Sequence, residues 1–134
     1  MEKYTHLMVN GHRKNLPLDE DIINYWLSSY IEQYNTMILE VPLKKLMDPS
    51  YSCVENNGVK IVTYTSILNN GYIALRIWEE DVVSSIRLDL ILSSPLPMFP
   101  VLYSMEDAFG MYDGTYMLLD RKDDFKTIDY RSYP

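Results

Sequence analysis

Ile22, Ile23, Trp26, Leu27, Tyr30, Ile31 and Tyr34 recur at spacings of three and four, and this stripe does most to limit the possible folds. It predicts an amphipathic helix of about four turns that must cover an apolar surface. Leu16-Pro17-Leu18 leads into Asp19-Glu20-Asp21, carboxylates placed where a helix N-terminus favours negative charge, with Asp19 as the N-cap.

The surface to be covered is a sheet. Tyr4 to Asn10 alternates as a strand ended by Gly11, and Met37 to Val41 reads as a short strand closed by Pro42. Pro49 to Asn57 is polar and reads as a loop carrying Cys53, after which Gly58 opens the β-branched run Val59 to Thr65. Asn69-Asn70-Gly71 is a turn, followed by the strand Tyr72 to Trp78 and an acidic corner, Glu79-Glu80-Asp81. In the strand Ser85 to Leu92, Arg87 and Asp89 share one face and Ile86, Leu88 and Leu90 the other. Pro95, Pro97 and Pro100 break the chain before a short helix, Val101 to Phe109. Asp113-Gly114 then precedes a last strand, Thr115 to Leu119. The expected order is β-α-β-β-β-β-α-β, an α+β sandwich with an antiparallel sheet and helices on one face. Residues 1–120 form the expected single domain, and 121–134 a charged, tyrosine-bearing tail at its periphery.

Composition narrows the function. The 134 residues are 47% hydrophobic and 23% charged, enough apolar material for one core. A net charge of −7 argues against nucleic acid, whose phosphates need clustered Lys and Arg. No apolar run approaches the roughly 18–20 residues that cross a bilayer, no leader is seen, and the single cysteine permits no internal disulfide, so a cytoplasmic protein without a membrane partner is expected. His6 and His12 are the only imidazoles, so nucleophile–base systems and thiolate metal sites are poorly supplied. No metal site, no G-x-G-x-x-G loop and no cofactor are expected.

Three stretches together resemble the S-adenosylmethionine decarboxylase family, in particular its short phage-encoded members. They are Tyr4-Thr5-His6-Leu7-Met8-Val9-Asn10-Gly11, then Gly71-Tyr72-Ile73-Ala74-Leu75-Arg76-Ile77-Trp78-Glu79-Glu80, and Leu88-Asp89-Leu90-Ile91-Leu92-Ser93-Ser94-Pro95-Leu96. The resemblance implies that family's α+β sandwich. It also implies what is missing. The family converts the serine of a Ser-His pair into a pyruvoyl group by cutting its own chain, and here that pair stands as Gly71-Tyr72. The histidine that assists cleavage stands as Arg76, and the proton-donating cysteine as Ser93. The family's Trp-x-Glu is kept in Trp78-Glu79-Glu80, which implies that Glu80 meets the ribose hydroxyls of the ligand.

Loss of pyruvoyl chemistry with the ligand frame kept resembles the phage-type S-adenosylmethionine lyases. Those enzymes form trimers with sites between subunits and release methylthioadenosine and homoserine lactone; related lyases act on a nucleotide conjugate used as an antiviral signal. The expectation is therefore a lyase without cofactor, working on S-adenosylmethionine or a conjugate as a homo-oligomer, with a trimer implied. In that reaction the substrate's own carboxylate attacks its γ-carbon and a neutral thioether leaves. Charge is cancelled as the ring closes, and holding the curled conformer supplies roughly 7–11 kcal/mol in favourable cases. The alternatives are an inactive binder of such a ligand, or a scaffold that has lost it and serves in protein interaction.

Each candidate residue has two readings. Glu80 is a ribose acceptor or a solvated strand-end charge; Trp78 stacks on adenine or packs in the core. Tyr72, and more weakly Tyr64, line the ligand site or pack. Arg76 binds a carboxylate or phosphate, or pairs with Asp89 or Glu40. Asp89 offsets the sulfonium or pairs with Arg87 or Arg76. Ser93 hydrogen-bonds ligand or caps a strand, and Glu106 with Asp107 reaches a neighbouring subunit or faces solvent. Tyr72, Glu80 and Asp89 form the expected catalytic set, with Tyr64, Arg76, Trp78, Ser93 and Glu106 binding substrate. His6 is expected to be structural and His12 to lie at the surface.

Overall fold

A computed structural model describes residues 4–40, 42–80, 83–93, 96–120 and 126–133, the last segment by its backbone. The fold is α+β. Its elements run β1 (Thr5–Arg13), α1 (Glu20–Met37), β2 (Ser50–Asn56), β3 (Val59–Leu68), β4 (Gly71–Glu79), β5 (Ser84–Leu92), α2 (Met98–Phe109), β6 (Met111–Asp120) and β7 (Lys126–Tyr133). The strands make one antiparallel sheet in the order β2-β3-β4-β5-β1-β6-β7. Hairpins build one wing, and β1 is inserted beside β5, so the chain's first strand lies at the sheet's interior.

The helix expected from the apolar stripe forms, and Asp19 caps it by accepting the Ile22 amide at 2.9 Å. Ile23, Trp26, Leu27, Tyr30 and Tyr34 are buried against one face of the sheet, with Leu7, Val9, Leu75, Ile86 and Leu88 among the residues beneath. The second helix lies on the same core. Trp26 Nε1 donates to Ser104 Oγ at 2.9 Å, and the Trp26 and Phe109 rings are 5.2 Å apart. Buried Arg13 ties the far end together: it donates to Glu79 Oε1 at 2.9 Å, to the Phe109 carbonyl at 3.2 Å and to the Leu16 carbonyl at 2.8 Å. It therefore satisfies a carbonyl at the end of α2 that has no intrahelical partner. Burial lowers its pKa, against the opposing charge and hydrogen bond of Glu79.

Four expectations are corrected. The strand expected from Met37 does not form, because α1 continues through Met37 and is capped at Ile38; its other end, Val41, lies outside the described residues. The expected loop Pro49 to Asn57 contains β2, which pairs in unbroken register with β3 across an Asn57-Gly58 turn. Asn57 and Gly58 both have positive φ, at 51° and 80°, as a tight hairpin turn with matching twist requires. The second helix begins at Met98 rather than Val101, since Pro100 falls in the first turn where an amide has no helical acceptor. Part of the expected tail, Lys126–Tyr133, is an edge strand paired with β6, while residues 121–125 and 134 lie outside the described residues, as do Asp81, Ser94 and Pro95.

Candidate functional site

Strand alternation sorts the sheet residues between two faces. Ile73, Leu75 and Ile77 of β4 and Ile86, Leu88 and Leu90 of β5 point under the helices. Tyr72, Ala74, Arg76 and Trp78 therefore share the uncovered face with Ser85, Arg87 and Asp89. Register sets them side by side: Ala74 faces Asp89, Arg76 faces Arg87 and Trp78 faces Ser85. On the other flank of β5, β1 sets Met8 beside Asp89 and Asn10 beside Arg87.

Two recesses open on this face. Tyr72, Ala74, Arg76, Arg87 and Asp89 line the first, of about 280 Å³, with the small Ala74 leaving its floor low. The second, of about 300 Å³, is lined by Trp78 and Ser85 together with Asn10, His12, Asp113 and Thr115. They adjoin, because Arg76 and Trp78 are two residues apart on one strand, roughly 7 Å. A bulge shapes the second recess. Asn10 pairs with Thr115 but His12 pairs with Tyr112, so Asp113 and Gly114 together oppose Gly11. Asp113 has φ of 49°, a left-handed conformation uncommon outside glycine, and it lines the recess.

The first recess has a built electrostatic core. His6 Nε2 lies 2.8 Å from Asp89 Oδ1, and Arg87 Nε donates to Asp89 Oδ2 at 3.1 Å. Burial pushes the Asp89 carboxyl up, but the hydrogen bonds and charge of His6 and Arg87 outweigh this and hold it below its usual range. Arg76 is exposed and makes no ion pair among the described residues. Two guanidinium groups thus share the recess with one carboxylate, an excess of positive charge inside a chain of net charge −7.

Of the expected site residues, Tyr72, Arg76 and Asp89 come together in the first recess, and Trp78 walls the second. Tyr64 does not join them. It is buried on the helix-covered face, where its hydroxyl donates to Asn24 Oδ1 at 2.8 Å; burial, with the charge of Glu20, pushes its pKa up to about 12. Ser93 lines neither recess and ties the end of β5 to the turn between β3 and β4, its amide and hydroxyl both donating to the Asn70 carbonyl. Glu80 is exposed just beyond the end of β4, two residues past Trp78 and roughly 7 Å from it, and it is not among the residues that line either recess. Glu106 is exposed on α2, the opposite layer. Arg76 does not pair with Asp89; Arg87 does, with His6.

Sequence reading missed Asn10, His12, Ser85, Asp113 and Thr115 as neighbours of Trp78. The signal for Asp113 was its place before Gly114, which reads as a simple turn but is a bulge. Gly71, where the resembled family has its cleaved serine, has no room for any side chain: a Cβ there would lie 1.7 Å from the Ile91 carbonyl oxygen. Among the described residues no three His, Cys, Asp or Glu side chains gather as a metal site, and no helix is long and apolar enough to cross a membrane. No protein-family model matches the chain, and no curated protein matches it.

Proposed function

We propose that the protein is a pyruvoyl-independent lyase acting on S-adenosylmethionine or a nucleotide conjugate of it. The observation that carries this reading is the convergence of Tyr72, Arg76 and Asp89 on one recess that adjoins the recess walled by Trp78. The adenine rests against Trp78, with the ribose hydroxyls met by the polar groups of Asn10, Ser85 and Thr115. The methionyl half lies across Ala74. Its carboxylate is oriented by Arg76, and its sulfonium sits between Tyr72 and the Asp89 carboxylate.

In the reaction a carboxylate oxygen forms a bond to the γ-carbon as the carbon–sulfur bond breaks. The electron pair stays on sulfur, giving methylthioadenosine and homoserine lactone. No protein nucleophile is consumed and no proton must be moved in that step, so a site with few imidazoles suffices. Orientation is the protein's contribution. Glu80, two residues past Trp78, meets the ribose hydroxyls at that end of the site, and Glu106 serves a neighbouring subunit's site in the homo-oligomer that the resemblance implies.

A second reading has a specific observation behind it. Both Asp89 oxygens are already engaged, by His6 and Arg87, which suits a static binder of the same ligand as well as a catalyst. Incubation with S-adenosylmethionine, and separately with an adenylated conjugate, followed by chromatography for methylthioadenosine, decides between them. Product that falls at least tenfold in Arg76→Ala and Trp78→Ala supports the lyase. Saturable binding without product supports the binder, and neither product nor binding overturns both.

A further inference from the structure

The second recess contains a carboxylate that nothing else in the described fold engages. Asp113 lines it, is exposed, and makes neither a hydrogen bond nor an ion pair among the described residues. The bulge holds it there. With Asp113 and Gly114 together opposing Gly11, the two strands press closely: a Cβ on Gly11 would lie 3.2 Å from the Gly114 Cα and 3.0 Å from Met111 Cγ. The left-handed conformation falls on Asp113, for which it costs more than it would for glycine. A strained residue directed at a recess points to a task there.

The walls of the recess limit what that task is. Trp78 on β4 and Asp113 on β6 stand on either side of β5 and β1, three strand spacings or roughly 14 Å apart, and the small Ser85 on β5 keeps the floor between them low. A flat ring beside the indole therefore has one edge directed at Asp113. An ionised carboxylate only accepts hydrogen bonds, so that edge must carry an N–H. We propose, resting on the reading that adenine lies against Trp78, that Asp113 accepts the exocyclic amine of adenine and makes this recess selective for a 6-aminopurine. A hydrogen bond to a charged acceptor is worth enough to discriminate, and a purine without the amine leaves the carboxylate facing carbon-bound hydrogen.

Methylthioadenosine and methylthio-purine riboside, which has hydrogen in place of the amine, test this by calorimetric titration of the full chain. The natural protein is expected to bind methylthioadenosine at least tenfold more tightly. In Asp113→Gly the preference is expected to fall below threefold, through weaker binding of methylthioadenosine with the purine riboside unchanged. This cycle across protein and ligand isolates the contact between the amine and the carboxylate. Glycine suits the left-handed position, so the variant is expected to unfold at no lower urea concentration than the natural protein. Asp113→Asn, which keeps an uncharged acceptor oxygen, is expected to fall between the two. A smaller preference in the natural protein, or one that Asp113→Gly leaves above threefold, overturns the proposal, as does failure to bind methylthioadenosine. Product formation from S-adenosylmethionine is scored in a separate incubation, so failure of the lyase reading and failure of this selectivity are told apart.

Discussion

Arg76 of β4 and Arg87 of β5 stand directly opposite each other on the uncovered face of the sheet, and among the described residues only Arg87 of the two has a carboxylate partner. Like charges so placed are destabilising unless an anion joins them. Arg76→Ala is therefore expected to stabilise the ligand-free protein by about 0.2–1 kcal/mol while weakening ligand binding at least tenfold. Urea unfolding and a binding titration on the same variant check both signs.

Asp89 is held on both oxygens, and its depressed pKa makes its contribution depend on pH. An aspartate whose folded pKa lies below its unfolded value stabilises the fold fully above about pH 4 and loses that contribution as the pH falls through the folded value. Asp89→Asn is expected to cost roughly 1.5–3 kcal/mol near pH 7. Its deficit against the natural protein should shrink as unfolding is measured at progressively lower pH below 4 (about one unit is enough to see it).

Gly71 sits where a Cβ would meet backbone rather than a movable side chain. Gly71→Ala and Gly71→Ser are each expected to lose about 2 kcal/mol or more, because the clash can be relieved only by moving β4 against β5. Intact mass of Gly71→Ser is expected to show one uncut chain. Thermal unfolding measures the loss.

Arg13 serves three acceptors at once. Arg13→Met leaves Glu79 with only the longer contact to Lys60, at 3.9 Å, and two carbonyls without donors, an expected loss of about 3–5 kcal/mol. Glu79→Gln keeps a hydrogen-bond acceptor and is expected to cost less than half as much.

At alkaline pH the buried tyrosines dominate. The Tyr64 pKa is pushed up to about 12, and that of Tyr30 is raised as well, chiefly by burial. Unfolded tyrosines release their protons near pH 10, so stability falls as the pH rises from about 10 towards 12. Tyr64→Phe is expected to make that decline shallower but not flat, because Tyr30 remains.

The long helix and the strands of the core were legible because each repeats a period strongly. The stripe from Ile22 to Tyr34 became the buried side of α1, and the alternation from Ser85 to Leu92 became an unbroken alternation of burial. β2 was not legible, for the same physical reason. An edge strand that buries only part of Tyr51 needs no apolar alternation, and only the Asn57-Gly58 pair marked it.

By itself the sequence determined the class of fold, the helix cap at Asp19, and the pairing of Tyr72, Arg76 and Trp78 on one strand face, since period and capping are local. It could not say that Tyr64 lies under the helix or that His6 reaches Asp89, 83 residues away. Those depend on which strands lie beside one another. The insertion of β1 between β5 and β6 is a tertiary choice, made by burying Leu7 and Val9 with the rest of the core. That choice sets His6 and Asn10 beside the charged residues of β5, and so composes the site.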